Sequence, residues 1–328
     1  MRLLITGALG FAGRYLAEAA RGRGHEVVGH GLPETASGPS KPFLDAYFRA
    51  DVTSLGQVEQ LLEVAQPEAI AHLAAQASGA RSFQDPVESF SANTMGTLHL
   101  LDAARRRGFK GTILSITSSE AYGRITIGRP VDESNPLRPV SPYAASKAAA
   151  DNISQLYSQL YGLAVVRARA FSHTGPGQQP AFVAPAWAQQ IARAEARAEA
   201  GEKGPFSVRV GNLDPVRDMA DVRDVAGAYL DLLERGRAGE PYNVCTETGI
   251  KMRDLLEKLR ALSKVKIEVE TDPHRARPAD IPYLVGSAKK IRKELGWEPQ
   301  HGLDDTLRDL LEYWRESVDA VRATGGRV

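Results

Sequence analysis

Two side chains that could work as an acid–base pair lie close together in residues 141–147, which read Ser-Pro-Tyr-Ala-Ala-Ser-Lys. This segment predicts the start of a helix, because Pro142 suits the first helical turn behind a capping Ser141. Tyr143 and Lys147, at an i, i+4 spacing, then share one face of that helix. A free phenol has a pKa of about 10, and a nearby cation lowers it by favouring the phenolate. The pair is therefore suited to proton transfer near neutral pH, although tyrosine and lysine at this spacing are more often simple surface neighbours.

A second group of candidates follows the apolar strand predicted at Gly111–Ile116. Residues 117–123 read Thr-Ser-Ser-Glu-Ala-Tyr-Gly, so hydroxyl groups and one carboxylate come directly after a strand end. In open α/β sheets the carboxyl ends of the strands face the crevice where ligands bind. Ser118 and Glu120 are therefore candidates for site residues. Such runs also cap helices, but a long loop separates this run from the helix of Tyr143, which makes capping the weaker interpretation.

A glycine-rich turn follows the first apolar run of the chain. Arg2–Thr6 predicts a strand, and helical periodicity extends from the turn to Arg23. Between a strand and a helix, the backbone N–H groups of such a turn hold a pyrophosphate at the helix N-terminus. The turn predicts a dinucleotide site, with a glycine spacing one residue longer than the common fingerprint. Its candidate cofactor-binding residues are Gly7, Gly10, Phe11, Ala12 and Gly13.

The end of the second strand bears on which cofactor binds. The strand predicted at Glu26–Gly29 leads into His30 and Gly31, where a carboxylate would hold the ribose 2′-hydroxyl of NAD. Glu34 lies at roughly the right distance, but it follows Pro33 in a loop. The missing acid favours NADP(H) over NAD(H), and NAD(H) stays the alternative.

Two further strand ends supply candidate cofactor contacts. Asp51, followed by Val52, ends a predicted strand and would either bond the adenine amine or cap the next helix. Another buried strand ends in Leu73, Ala74 and Ala75. Small side chains there would let a cofactor approach the backbone closely, although tight packing of strand and helix would give the same pattern.

The rhythm of alternating predicted strands and helices indicates an α/β protein with a doubly wound parallel sheet. The 328 residues carry a net charge of +1, so neither nucleic acid nor a membrane surface is expected as a partner. Every apolar run is interrupted before it could span a bilayer. The histidines lack the spacing of a metal site, so no metal is expected. A single cysteine, Cys245, fits a reducing compartment, so we expect a cytoplasmic protein.

Together these residues resemble the extended short-chain dehydrogenase/reductases, in the branch of nucleotide-sugar epimerases and dehydratases. The resemblance runs from Met1 to about Trp314 and rests on elements in a fixed order. They are the N-terminal Thr-Gly-x-x-Gly-x-x-Gly, the Leu73-Ala74-Ala75 strand end, the serine run before Tyr122-Gly123, and Tyr143-x-x-x-Lys147. The resemblance implies a Rossmann domain of residues 1–171 and 219–248 with a smaller α/β substrate-binding lobe of residues 172–218 and 249–320. It also implies a homodimer through helices 85–107 and 143–161.

The same resemblance assigns roles to individual residues. Its pattern makes Ser118 the catalytic hydroxyl beside Tyr143 and Lys147, which also contact the cofactor, and adds Ala170 and His173 as cofactor contacts. Gly-Asn-Leu-Asp at 211–214 and Arg-Pro-Ala-Asp at 277–280 are similar to segments of enzymes that act on GDP-mannose derivatives. A GDP-sugar substrate is therefore implied. The implied substrate-binding residues are Ser118, Ser172, Asn212, Arg217 and Arg277.

Two activities compete within this branch. Residues 173–178, His-Thr-Gly-Pro-Gly-Gln, are similar to GDP-4-keto-6-deoxy-mannose reductases, which reduce the C4 ketone of the sugar. Glu120 occupies the position of the glutamate that takes the C5 proton in GDP-mannose 4,6-dehydratases. Ser172 replaces the asparagine that is usual in both groups. The reductase is the preferred prediction and the dehydratase the alternative. A non-catalytic cofactor-binding regulator is the remote alternative, since such relatives would be expected to lose the serine, tyrosine or lysine.

Overall fold

The structure, a computed structural model, describes residues 1–32, 42–275 and 280–324. The first part of the chain contains β1 Arg2–Thr6, α1 Phe11–Gly22, β2 Glu26–Gly31, β3 Ala46–Arg49, α2 Leu55–Ala65, β4 Ala69–His72, α3 Gly79–Gln84, α4 Pro86–Phe90, α5 Gly96–Arg106, β5 Thr112–Ser118, α6 Pro142–Tyr161 and β6 Ala164–Ala170. The second part contains β7 Ser172–Thr174, α7 Val183–Glu199, β8 Phe206–Val210, β9 Val216–Asp221, α8 Val222–Arg235, β10 Pro241–Val244, β11 Gly249–Lys251, α9 Met252–Ala261, β12 Ile267–Thr271, β13 Tyr283–Leu284, α10 Lys289–Leu295 and α11 Leu303–Ala323.

Seven strands form one parallel sheet in the order β10-β6-β5-β4-β1-β2-β3. The chain runs outward from β1 through β2 and β3, and then returns to place β4 on the other side of β1. The strand order therefore reverses between β1 and β4, and such a switch point opens a crevice at the carboxyl ends of the strands. The doubly wound parallel sheet predicted from the sequence is confirmed.

Helices cover both faces of this sheet, because successive side chains of a buried strand point to opposite sides. Leu3 and Ile5 of β1 pack in the same cluster as Tyr229 of α8, whereas Leu4 packs with Leu100 of α5. These β1 side chains are fully buried, as expected for a strand covered on both faces. Within the described ranges, no helix combines the length and the apolar character needed to cross a bilayer.

A smaller group of elements carries a core of its own. β11, β9 and β13 form a short sheet with β7 beside β9, and β8 pairs with β12. α7, α9 and α11 pack together through buried side chains such as Trp187, Leu255 and Leu310. These elements fall largely in residues 172–218 and 249–320, although the exact division into two domains stays a prediction.

The predicted helix 85–107 has a different shape in the structure. A π-helical turn, Ser91–Met95, separates α4 from α5. Buried Asn93 in this turn donates to Gln76 O at 3.0 Å and to Ser146 Oγ at 2.9 Å, and accepts from Gln76 N at 2.8 Å. The wide turn therefore lies where the helix is bonded both to α6 and to the loop after β4. Hydrophobic periodicity does not reveal such a turn, because it depends on these long-range partners.

Candidate active site

The glycine turn packs against the end of β4. Gly7 has a φ of +71°, and a Cβ on it would lie 2.9 Å from Ala74 N. A Cβ on Gly13 would lie 2.3 Å from Gly7 O, so both positions require glycine. Among the described residues, no side chain caps α1, which starts beyond Gly10. The N–H groups of its first turn are therefore available to an anion, and the turn fits a pyrophosphate.

Thr6 fixes the strand end beside that turn. Its Oγ1 accepts from Leu73 N and Ala74 N, each at 3.1 Å, and lies 2.8 Å from His72 Nδ1. Since both lone pairs of the hydroxyl are occupied, Thr6 donates to Nδ1, which places the ring proton of His72 on Nε2. Burial lowers the pKa of His72 to about 3, so the ring is neutral. The predicted cofactor-binding residues 73–75 thus follow a rigid strand end.

The structure places Asp51 in a turn before α2. Its Oδ1 accepts from Thr53 N and Thr53 Oγ1, both at 2.8 Å. These bonds close a turn before α2 and, among the described residues, reach no N–H of the helix, whose N-cap is Ser54 and carries no side-chain cap bond. The predicted cap is therefore not formed by Asp51, and an adenine contact stays a prediction. The carbonyl of neighbouring Val52 accepts from His99 Nδ1 at 3.0 Å.

Tyr143 and Lys147 lie in the first turns of α6, which starts as predicted. Ser141 Oγ accepts from Ala144 N at 3.1 Å and Pro142 occupies the first turn. Lys147 is 6% exposed, and its Nζ donates to Ile116 O of β5 at 3.1 Å. Desolvation lowers the pKa of Lys147 to about 8. An ammonium group one turn from a phenol stabilises the phenolate, so this pair has the chemistry of a proton relay.

Ser118 ends β5 beside the helix that carries Tyr143. It is 7% exposed, its Oγ accepts from Glu120 N at 3.2 Å, and its register partner on β6 is Ala170. Glu120 is half-buried in the 3₁₀ turn Ser119–Tyr122 that follows. Lys147 bonds the same strand at Ile116, two residues before Ser118. The predicted catalytic side chains therefore come from adjoining elements, β5 with its terminal turn and α6.

The loop that follows β6 lies against the glycine turn. The rings of His173 and Phe11 are stacked, with centroids 6.0 Å apart and an interplanar angle of 9°. Gln178 donates to His173 O at 3.1 Å and accepts from Thr174 Oγ1 at 2.7 Å. Tyr15 of α1 donates to Pro176 O at 2.9 Å. Residues 173–178, which distinguish the two candidate activities, are thus attached to the predicted cofactor turn.

Two of the predicted substrate-binding residues share one partner. Arg217 Nη2 donates to Asp280 Oδ1 at 2.7 Å, and Asn212 Nδ2 lies 3.4 Å from Asp280 Oδ2. Ser172 lies in β7, opposite Met219 of β9, and is half-buried. Arg277 falls outside the described residues. The sequence reasoning did not predict the pairing of Arg217 with Asp280, although Asp280 ends the Arg-Pro-Ala-Asp segment that was singled out.

Comparison with known proteins decides the family. The model of the family described as GDP-mannose 4,6 dehydratase matches residues 4–310. This chain belongs to that family. Like other members it is an enzyme of the extended short-chain dehydrogenase/reductase type, as the sequence predicted.

Individual curated relatives match almost the whole chain. The GDP-6-deoxy-D-mannose reductase of Pseudomonas aeruginosa is 36% identical over 97% of this chain and 98% of its own. GDP-mannose 4,6 dehydratase 2 of Arabidopsis thaliana is 30% identical over 94% of this chain and 85% of its own. This chain is therefore similar to relatives named for each of the two candidate activities.

Solved structures confirm the Rossmann fold of this family member. RMD from Pseudomonas aeruginosa, complexed with NADPH, gives a TM-score of 0.82 at 33% identity and covers 97% of this chain and 100% of its own. UDP-glucose 4-epimerase of Thermus thermophilus, complexed with NAD, gives 0.85 at 31% identity over 96% and 99%. Both relatives hold a nicotinamide dinucleotide, which supports a cofactor of that class for this chain.

Proposed function

We propose that this enzyme reduces the C4 ketone of a GDP-4-keto-6-deoxyhexose with a reduced nicotinamide cofactor. The observation that carries the proposal is buried Lys147, which is bonded to Ile116 of β5 two residues before Ser118 and lies one turn from Tyr143. Full-length similarity to a GDP-6-deoxy-D-mannose reductase and the His-Thr-Gly-Pro-Gly-Gln loop favour reduction over dehydration.

The residues would share the chemistry as follows. The nicotinamide supplies a hydride to C4 when it is bound. Tyr143 donates its phenolic proton to the C4 oxygen as negative charge develops there. Ser118 donates a hydrogen bond to the same oxygen, and this bond strengthens with the charge. Lys147 stabilises the phenolate that Tyr143 leaves behind, because an adjacent cation favours the ionised phenol.

The substrate and cofactor contacts belong to the same proposal. The GDP moiety would bind in the lobe of residues 172–218 and 249–320, where Arg217 is suited to phosphate as a guanidinium. NADP(H) is the proposed cofactor, because β2 ends at Gly31 without a carboxylate. Exposed Arg49, the register partner of Gly31, makes no ion pair with any described residue and adds positive charge there.

A homodimer is also proposed, on the basis of exposed apolar side chains on α4, α6 and the π turn. Val87 is 73% exposed and Leu160 is 64% exposed, and Phe90, Met95 and Leu156 are exposed beside them in sequence. Apolar surface of this kind on neighbouring helices is typical of an interface. Because α4 and α6 contact each other, these side chains would form one face for a second copy.

The dehydratase is the second candidate function, and half-buried Glu120 favours it. On that reading Tyr143 would take the proton of the C4 hydroxyl and Glu120 would take the C5 proton, and water would leave from C6. The hydride that leaves C4 as the ketone forms would be returned to the sugar at C6 after water has left, so the cofactor would not be consumed. The relative from Arabidopsis thaliana, named a GDP-mannose 4,6 dehydratase, supports this candidate.

The absorbance of NADPH during turnover tests the proposal. With the purified enzyme and GDP-4-keto-6-deoxymannose, we expect stoichiometric loss of NADPH, and Tyr143→Phe should abolish that loss. Turnover of GDP-mannose with unchanged NADPH would contradict reduction and support the dehydratase. Binding of NADPH without turnover of either sugar, in the wild type and Tyr143→Phe alike, would support the non-catalytic regulator.

A further inference from the structure

A buried carboxylate in α6 bonds this helix to two strands of the sheet. Asp151, one turn beyond Lys147, has no exposed surface. It accepts from Thr117 Oγ1 of β5 at 3.1 Å, and from Nε and Nη2 of Arg169 of β6 at 2.9 Å each. Arg167, also of β6, donates to it from Nη1 at 2.6 Å. One side chain therefore fixes the helix of the acid–base pair against β5 and β6.

The same carboxylate is linked to both ends of the segment that carries Ser118 and Glu120, to one end directly and to the other through Arg169. Thr117 directly precedes this segment. Tyr122 closes it, and Arg169 Nη1 donates to Tyr122 Oη at 2.9 Å while its guanidinium lies 5.1 Å from the Tyr122 ring centre. Because Arg169 is itself held by Asp151, the two ends of the segment share one anchor.

The charges in this cluster make the anchor strong. Burial would raise the pKa of Asp151, but hydrogen bonds and charge from Arg169 and Arg167 outweigh it, and the pKa is lowered. The carboxylate is therefore ionised at neutral pH. If its charge were removed, Arg167 and Arg169 would repel each other in a buried space, and the hydrogen bonds of both would weaken.

We propose that Asp151 is a positioning residue, which sets the separation between the Ser118 segment and Tyr143. The proposal rests on the use of Ser118 and Tyr143 in the proposed function, but not on the choice between reduction and dehydration. Asp151 touches neither substrate nor cofactor in this role. Its effect on the reaction would come entirely through the placement of the serine hydroxyl relative to the phenol.

Asp151→Asn tests the proposal, with Glu195→Gln as the matched control. Glu195 is another buried carboxylate, 3% exposed, and it accepts from Arg315 at 2.7 and 2.8 Å in the smaller lobe. Both variants should lower the melting temperature, because each removes the charge of a buried carboxylate that binds an arginine. Only Asp151→Asn should lower kcat, by about 100-fold, with KM and the Kd for NADPH nearly unchanged.

Thr117→Val provides a milder variant if Asp151→Asn fails to fold. It removes the hydrogen bond to β5 and leaves the bonds of Arg167 and Arg169 to Asp151 in place. We expect a decrease in kcat smaller than that of Asp151→Asn, again with little change in KM. Arg167→Met removes a partner of Asp151 whose other hydrogen bonds go to Gln155 and Gly239. It should affect kcat less than Thr117→Val does.

A structural measurement separates this proposal from the proposed function. In crystal structures, the distance from Ser118 Oγ to Tyr143 Oη should differ between the wild type and Asp151→Asn, whether or not either sugar turns over. A wild type without activity on either sugar would contradict the proposed function, and this distance would then decide the role of Asp151. An unchanged distance, or equal kcat in Asp151→Asn and Glu195→Gln, would overturn the positioning role.

Discussion

Phe11 of the glycine turn and His173 of β7 are stacked, with their ring planes 9° apart. The contact joins the first turn of the chain to the segment that separates reductases from dehydratases within the resemblance. Burial lowers the pKa of His173, and its Nδ1 is paired with Phe171 O at 3.0 Å. The neutral imidazole therefore packs against the aromatic ring that follows the glycine turn.

His173→Ala should weaken cofactor binding without changing the fold. An aromatic pair contributes roughly 0.5 to 1.5 kcal/mol. Without its partner, Phe11 must be ordered when NADPH binds, so the Kd for NADPH should rise by up to about 2- to 10-fold. Fluorescence titration with NADPH measures this change. Tyr313→Ala, which breaks the contact of Tyr313 with Trp314 in α11, is the control and should leave the Kd unchanged. Equal Kd values for His173→Ala and the wild type would contradict the prediction.

Lys147→Met should remove a pH-dependent part of the stability. Desolvation lowers the pKa of Lys147 from its ordinary value of 10.5 to about 8 in the folded chain. Between these values the unfolded chain binds more protons than the folded one, so the contribution of Lys147 to the free energy of unfolding rises with pH. From pH 8 to 10.5 the wild type should gain up to about 3 kcal/mol relative to Lys147→Met.

Urea unfolding at several pH values measures this difference. The control is Lys110→Met, since Lys110 is exposed. The difference in the free energy of unfolding between Lys110→Met and the wild type should not change over the same pH range. A flat difference for Lys147→Met as well would show that Lys147 is not desolvated in the folded chain.

Glu120→Gln should separate the two candidate reactions. The reductase needs no base at C5, so most of its activity should survive the loss of the carboxylate. Any dehydration of GDP-mannose should be abolished, because glutamine cannot accept the C5 proton. Ser118→Ala is the matched variant and should slow both reactions, since it removes the donor to the C4 oxygen. Product analysis with each sugar distinguishes these outcomes, and loss of reduction in Glu120→Gln would assign the carboxylate a role in the reductase.

Leu160→Glu should convert the proposed dimer to a monomer. Leu160 lies on the exposed face of α6 four residues from Leu156, and a buried unpaired carboxylate at an interface is unfavourable. Sedimentation velocity measures the oligomeric state. Val321→Glu on α11 changes a similarly exposed apolar residue away from this face and should not alter it. A wild-type monomer at micromolar concentration would refute the dimer.

The parts of the site that follow from local rules could be predicted from the sequence. Ser141 and Pro142 predicted the start of α6, and the strand–glycine turn–helix pattern predicted the turn at Gly7. In both cases the determining interactions lie within a few residues of each other. The order of the strand ends then placed Ser118 and the acid–base pair on adjoining elements.

Interactions between distant residues could not be predicted in this way. Arg217 and Asp280 are 63 residues apart in the sequence, and neither hydrophobic periodicity nor residue spacing predicts their pairing. Asn93 likewise needs partners on the loop after β4 and on α6 before its π turn can be understood. Asp51 shows a further limit, since a carboxylate after a strand suits a helix cap or a ligand contact, and in the structure it closes a turn with Thr53 instead of capping α2.

The contact of Lys147 Nζ with a main-chain carbonyl has a consequence for how this enzyme tolerates mutation. Every amino acid brings a carbonyl oxygen to position 116, so no substitution of Ile116 deletes the acceptor. The hydrogen bond of Lys147 therefore persists whichever side chain occupies position 116. Only substitutions that move β5 or replace the lysine itself would remove it.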